Sequence, residues 1–247
     1  MKLVNFSLRH FAQWLSFLLL TLLVALSLSW VLLATVDFGY ASLHDHTSIA
    51  GHIAEYAPKN FNKPDFAVTD TTERARLFHG IVEAIHHQGQ GLAELTYHDP
   101  QGRAITTLFT AAEVTHLQDV AHLIDKITFA ATFMLPLWVV VFVLSLYYRQ
   151  ALPSIKQLAG YVLLFALLTT AVLSLGATEV FYQLHIWIFP ADHPWFFYYE
   201  ESLMSTMMQA PLLFGYIAIM LLGLAVVITV LLLTFYHYLA QRRTRHS

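Results

Sequence analysis

Glu179-Val-Phe-Tyr-Gln-Leu-His185-Ile-Trp187-Ile-Phe189-Pro190-Ala-Asp-His193-Pro194-Trp195-Phe-Phe-Tyr-Tyr-Glu-Glu-Ser202-Leu-Met-Ser-Thr-Met-Met-Gln-Ala-Pro211 lies between two long uncharged runs. It is too polar to cross a bilayer, and Pro190, Pro194 and Pro211 interrupt any single helix across it. Its aromatics, from Phe181 to Tyr199, are the types that settle at a membrane–water boundary. Two histidines and four carboxylates sit among them. Such a segment is either an interfacial anchor or the floor of a site that works on something lodged in the membrane surface. Both readings put the flanking runs in lipid.

The rest of the chain agrees. Of its 247 residues 57% are hydrophobic and 12% charged, the balance of a helical membrane protein rather than a soluble domain. Four stretches carry no charged side chain: 10–36, 127–148, 157–178 and 202–241. Each exceeds or reaches the roughly 20 apolar residues that cross a hydrocarbon core. The first is too long for the apolar region of a signal peptide and reads as a retained span. With no cysteine there is no disulfide, thiolate ligand or thiol nucleophile, and a net charge of -3 gives no argument for nucleic acid.

Basic residues orient the spans. Lys2 and Arg9, Arg149 and Lys156, and Arg242, Arg243 and Arg245 lie in segments without acids, whereas every Asp and Glu falls in 37–125 or 179–201. The positive-inside rule then puts both termini and the 149–156 loop in the cytoplasm. The expected fold is an α-helical membrane protein, four transmembrane helices with a small mixed α/β extracytoplasmic domain. Its parts are a first transmembrane helix at 10–36, an extracytoplasmic domain at 37–112, an interfacial helix running on into the second span at 113–148, a third span at 157–178, an interfacial segment at 179–211 and a fourth span at 212–238.

Within 37–112, residues 37–70 read as loop with short elements. Asp70-Thr-Thr-Glu73 is a capping box opening an amphipathic helix over about 71–88, with Leu77, Phe78, Ile81, Val82 and Ile85 on one face. Gly89 and Gly91 end it. Asp99-Pro-Gln-Gly102 predicts a hairpin between 92–98 and 103–109. Thr110-Ala-Ala-Glu113 is a second capping box, opening a helix with no breaker before Pro136.

Glu113, His116 and Asp119 recur at every third place on that helix, so either carboxylate is in reach of the imidazole to fix its tautomer. A solvated polar face gives the same pattern. So does half of a metal site, which His185, His193 and Glu179 would complete. The topology puts His116 and His185 on the same side of the membrane. Two imidazoles meeting at a lipid–water boundary make a general base and a general acid. His86 and His193 are expected to matter much less.

Two blocks resemble a known family, the bacterial lipoprotein intramolecular transacylases. Phe109-Thr-Ala-Ala-Glu113-Val-Thr-His116-Leu-Gln-Asp119-Val120 is similar to the family's Glu-x-x-His-x-x-Asp-Val block entering the second span. His185-Ile-Trp-Ile-Phe189-Pro190, followed by Trp195, Phe197 and Ser202-Leu203, is similar to its His-x-x-x-Phe-Pro, Trp-x-Phe and Ser/Thr-Leu series before the last span. Ala121 stands where the family usually has lysine. The resemblance implies transfer of an sn-2 acyl chain to the N-terminal amine of a diacylglyceryl-cysteine lipoprotein. It implies His116 and His185 as catalytic residues, with Glu113 and Asp119 supporting them and Trp187, Phe189 and Trp195 binding substrate. The implied partners are the lipidated N-terminus of lipoproteins and membrane lipid, at the bacterial inner membrane, with no metal, cofactor or nucleic acid. Two other classes stay open: a membrane subunit that docks a protein partner without catalysis, and a metal-dependent membrane hydrolase.

Overall fold

The computed structural model describes residues 8–148 and 176–245, with single positions between 153 and 174. The expected third span and the basic 149–156 loop therefore fall largely outside the described residues. Among those described, three helices are long and apolar enough to cross a membrane: Phe11–Ala34, Ala111–Tyr147 and Leu212–Arg243. The helices are α1 (Leu8–Ala34), α2 (Tyr40–His46), α3 (Ile49–Tyr56), α4 (Thr71–His86), α5 (Ala111–Tyr147), α6 (Ala177–Ile188), α7 (Leu203–Met208) and α8 (Leu212–Arg245). The strands are β1 (Thr96–His98) and β2 (Ala104–Thr107). The fold is mostly helical, of membrane type, with one two-stranded sheet.

The chain forms two compact units. One comprises Met1–Val31, Phe129–Gly176 and Met220–Ser247. Its aliphatic surface is open, as at Val140 (54% exposed) and Leu231 (63%), which suits helices solvated by lipid. Its core is aromatic: Trp14, Phe17, Trp138, Phe142 and Tyr236 pack together. The Tyr236 ring meets Trp14 edge-on at 5.8 Å and Phe142 at 5.3 Å. Some polar side chains here are satisfied within the unit, as a lipid environment favours. The Thr21 hydroxyl donates to the Phe17 carbonyl (2.7 Å) and accepts from the Trp138 indole N–H (2.9 Å). α5 runs through Pro136 without a break. At 37 residues it is about 55 Å long, well beyond a ~30 Å hydrocarbon core. Its uncharged part begins at Ile127, and residues 111–126 before it carry all the charged side chains of the helix.

The second unit comprises Leu32–Thr128 and Ala177–Ile219 and contains the candidate site. In α4 the Asp70 carboxylate accepts from the Glu73 N–H at 2.8 Å, the expected cap. Leu77, Phe78, Ile81 and Val82 are buried at helical spacing. Glu73 takes two N–H bonds from Arg76, each 2.7 Å, and the backbone N–H of His98 at 2.7 Å, tying α4 to the hairpin. In the turn, Asp99 Oδ1 accepts from the Gln101 and Arg103 N–H groups, both at 2.9 Å. The strands are shorter than 92–98 and 103–109 because the chain leaving α4 turns as far as Glu94, burying Leu92. Beyond the strands the pairing continues in the bonds from Leu108 N–H to Leu95 O (2.6 Å) and from Asp99 N–H to Arg103 O (3.0 Å).

Gly89 ends α4 at φ 78°, and a Cβ there would meet the Gln118 carboxamide at 2.3 Å. Gly89→Ala should therefore cost at least ~1 kcal/mol of stability. An unchanged melting temperature in the purified variant would contradict this.

Residues 37–70 are more ordered than a loop. α2 and α3 form a layer joined to the segment before α8. Tyr40 stacks on Phe78 at 4.1 Å and donates its hydroxyl to the Met207 carbonyl at 3.0 Å. The Phe61 N–H donates to Glu200 O at 2.9 Å. These bonds fix residues 198–209 and, through them, one wall of the site.

Candidate active site

α5 and α7 begin at one carboxylate. Glu113 is 1% exposed. Its Oε2 accepts from the Thr110 N–H (2.7 Å) and hydroxyl (2.8 Å), which closes the expected capping box. Its Oε1 accepts from the Ser202 hydroxyl (2.6 Å) and the Met204 N–H (3.0 Å). Ser202 Oγ in turn caps α7 by accepting from the Ser205 N–H at 3.0 Å. Lys63 donates to the Thr107 and Leu108 carbonyls (2.7 and 2.9 Å) and lies near enough for its charge to act on Glu113. Glu113 is thus fully occupied in joining two helix starts. The expectation that it holds His116 fails because both its oxygens are already taken by four donors.

One turn on, His116 is 6% exposed among rings. Phe189 meets it edge-on at 5.0 Å, Phe197 at 6.2 Å, and His185 lies 5.8 Å away between ring centroids. Its Nδ1 is buried without a hydrogen-bond partner. Burial, with the nearby His185 adding to it, pushes the imidazole down to about 4 against an opposing effect of Asp119, so it is neutral at neutral pH. A buried lone pair without a partner costs less than a buried N–H without one. The favoured tautomer therefore leaves Nδ1 unprotonated and presents Nε2–H.

His185 comes from α6, which forms because Glu179 to Ile188 holds no proline and ends just before Phe189-Pro190. Its Nδ1 lies 2.7 Å from the Phe181 carbonyl, which only accepts, so Nδ1 carries the proton and Nε2 keeps its lone pair. Burial lowers its pKa below the ordinary value, opposed by the bond to Phe181. The two imidazoles thus present complementary atoms, a donor on His116 and an acceptor on His185.

Phe189 and Trp195 pack on His185 at 5.2 and 5.1 Å. Trp187 is not brought to the site. It is 73% exposed, about 200° around α6 from His185. Asp119 does not hold His116 either, since it accepts from His193 Nδ1 at 2.7 Å. That bond raises the His193 pKa above its ordinary value. Lys63 is the member of this neighbourhood that the sequence does not single out; there His193 is weighed only as a metal ligand and Ser202 only as part of the family motif. Among the described residues no three of His, Asp and Glu stand together as a metal site.

His116, on a helix long and apolar enough to cross a membrane, and His185 thus meet in an aromatic cage. The chain belongs to the Lit family, whose model, described as lipoprotein intramolecular transacylase Lit, matches residues 11–211. Its fold is similar to that of the membrane integral lipoprotein intramolecular transacylase Lit from Bacillus cereus, solved in meso with a histidine-to-arginine substitution. The two are 17% identical, with a TM-score of 0.53 over 93% of this chain and 94% of the other. A comparison with curated proteins gives no match.

Proposed function

We propose that the protein moves the sn-2 acyl chain of a diacylglyceryl-cysteine lipoprotein to the α-amino group of that cysteine, giving the lyso form. The observation that carries this is the pairing of His116 and His185 at 5.8 Å with a donor and an acceptor atom free for substrate. His185 Nε2 takes the proton the amine must lose as it attacks, and His116 Nε2–H donates to the ester carbonyl as negative charge develops there. The substrate already holds amine and ester in one molecule, so orientation supplies much of the rate. Phe189 and Trp195 line the acyl side. Trp187, outside the site, anchors α6 at the interface. Mass spectrometry of lipoprotein N-termini from cells with and without the protein tests the activity; identical acylation in both would refute it.

The docking-subunit alternative predicts indifference to substitution at either histidine. The metal-hydrolase alternative needs Glu113 as a ligand, and four hydrogen bonds already occupy its oxygens.

The protein sits in the bacterial cytoplasmic membrane with four spans, both termini in the cytoplasm, and 37–112 and 179–211 outside. The acid-free basic ends support this orientation. A reporter fused after Ser247 is expected to be active only on the cytoplasmic side. Activity on the outer side would invert the topology.

Charge states give a further expected result. At pH 6 the His116 imidazole should be neutral, while His185 titrates below and His193 above the ordinary histidine value. Histidine-labelled NMR on the intact protein reads this directly, and a His116 that titrated near 6.5 would contradict the caged geometry. Between about pH 6.5 and about 4 the unfolded chain binds a proton at His116 that the folded site excludes. Stability from this group is therefore fully present above pH 6.5 and is lost as pH falls through that window.

A further inference from the structure

The sn-2 oxygen that leaves needs a proton, and the reaction needs a donor for it. An alkoxide is far more basic than an imidazole, so the sn-2 oxygen must be protonated as it leaves. His116 is used as a hydrogen-bond donor to the carbonyl; His185, once it has taken the amine proton, is one source of that proton, and a separate acid already in place is a second.

A third imidazole stands in the same wall. His193 closes a tight turn, its backbone N–H donating to Pro190 O at 3.2 Å. That turn lies between Phe189 and Trp195, whose rings both pack on His185 at 5.2 and 5.1 Å. The His193 side chain is bound to Asp119, one turn past His116 on α5. Asp119 occupies Nδ1, which leaves Nε2–H as the free atom of the imidazolium, on a side chain 36% exposed.

We propose that His193, held by Asp119, is the acid that protonates the departing sn-2 oxygen. The proposal rests on the transacylase reading above. The amine nitrogen bonds to the ester carbonyl carbon and the bond from that carbon to the sn-2 oxygen breaks. One amine proton passes to His185 Nε2, and the His193 Nε2 proton passes to the leaving oxygen. The products are an amide and a free sn-2 hydroxyl, and loss of the His185 proton to water with uptake of one by His193 resets the site. Asp119 is a positioning residue: it fixes the tautomer and favours the charged ring, with Asp192 adding to the same effect. Burial pushes His116 and His185 the other way, so the environments move the pKa values of the three imidazoles apart.

The test uses the full-length protein in lipid vesicles with two synthetic lipopeptides, a diacylglyceryl ester and its sn-2 thioester. A thiolate, with a thiol pKa of ~8.5, leaves without an acid. His193→Ala is expected to lose ~10²-fold on the ester and only a few-fold on the thioester. Asp119→Asn, which preserves shape at the helix, should show the same contrast more weakly. His185→Ala should lose heavily on both. Equal losses on the two substrates, or no loss on the ester, would overturn the acid assignment. If the parent then still converts ester and His185→Ala does not, the transacylase reading stands. A parent that converts neither substrate overturns both.

Discussion

Alanine at His185 or at His116 is expected to lower conversion of a diacylglyceryl lipoprotein to its lyso form by ~10²–10⁴-fold while leaving insertion intact. That loss is ~2.7–5.5 kcal/mol of transition-state stabilisation. At His185 the change removes the base, together with its ring contacts to Phe181, Phe189 and Trp195. The Nδ1–H to Phe181 bond only decorates a carbonyl of α6, and the helix does not depend on it. At His116 it removes the donor to the carbonyl and opens space between Phe189 and Phe197. Some loss of stability accompanies it there, so conversion must be compared at matched amounts of folded protein. His116→Gln separates the effects, since a carboxamide refills part of the cage and keeps an N–H donor; it should retain more activity than His116→Ala. Parental conversion by both alanine variants would end the acid–base assignment and return the docking-subunit reading to the front.

Local patterns were legible in the sequence, and long-range partners were not. Asp70 with Glu73, and Thr110 with Glu113, are separated by three residues, so a rule about one helical turn finds them. The same rule put Glu113 and Asp119 beside His116, and there it failed. Each carboxylate does lie a turn from the imidazole, but Glu113 is claimed by Ser202 and Met204 and Asp119 by His193, partners 89, 91 and 74 residues away. Spacing along one helix cannot reveal a competitor arriving from another. His116 and His185 were brought together by topology and family resemblance, not by spacing. The misassigned Trp187 has a simpler cause. Once 179–188 is known to be one helix, the ~100° step per residue puts Phe189 near the His185 face and Trp187 on the far side. Reading the segment as proline-broken throughout hid that sorting. The left-handed backbone at Asp37 and Phe38, φ 49° and 50°, had no usable sequence signal: Asp is enriched there but still visits it uncommonly, and Phe does not favour it.

Glu113 should prove to be a residue of the fold before it is one of the chemistry. Its carboxylate is buried, and it accepts four hydrogen bonds, two from backbone N–H groups at the starts of α5 and α7. Removing a buried charged partner strands the groups it satisfied, so Glu113→Ala is expected to cost ~3–5 kcal/mol. Glu113→Gln should cost nearly as much despite its shape. One side of the carboxylate faces the Thr110 N–H and the other the Met204 N–H, so an amide NH2 on either side confronts a backbone donor that cannot turn away. Thr110→Ala, which removes a single cap hydroxyl, should cost only ~1 kcal/mol. The measurement is thermal unfolding of the purified full-length variants, read alongside conversion well below the melting temperature. A Glu113→Gln variant with the parental melting temperature and no activity would move Glu113 from scaffold to chemistry. The geometry instead predicts a large fall in melting temperature, with activity falling only as far as His116, one turn along the same helix, is displaced.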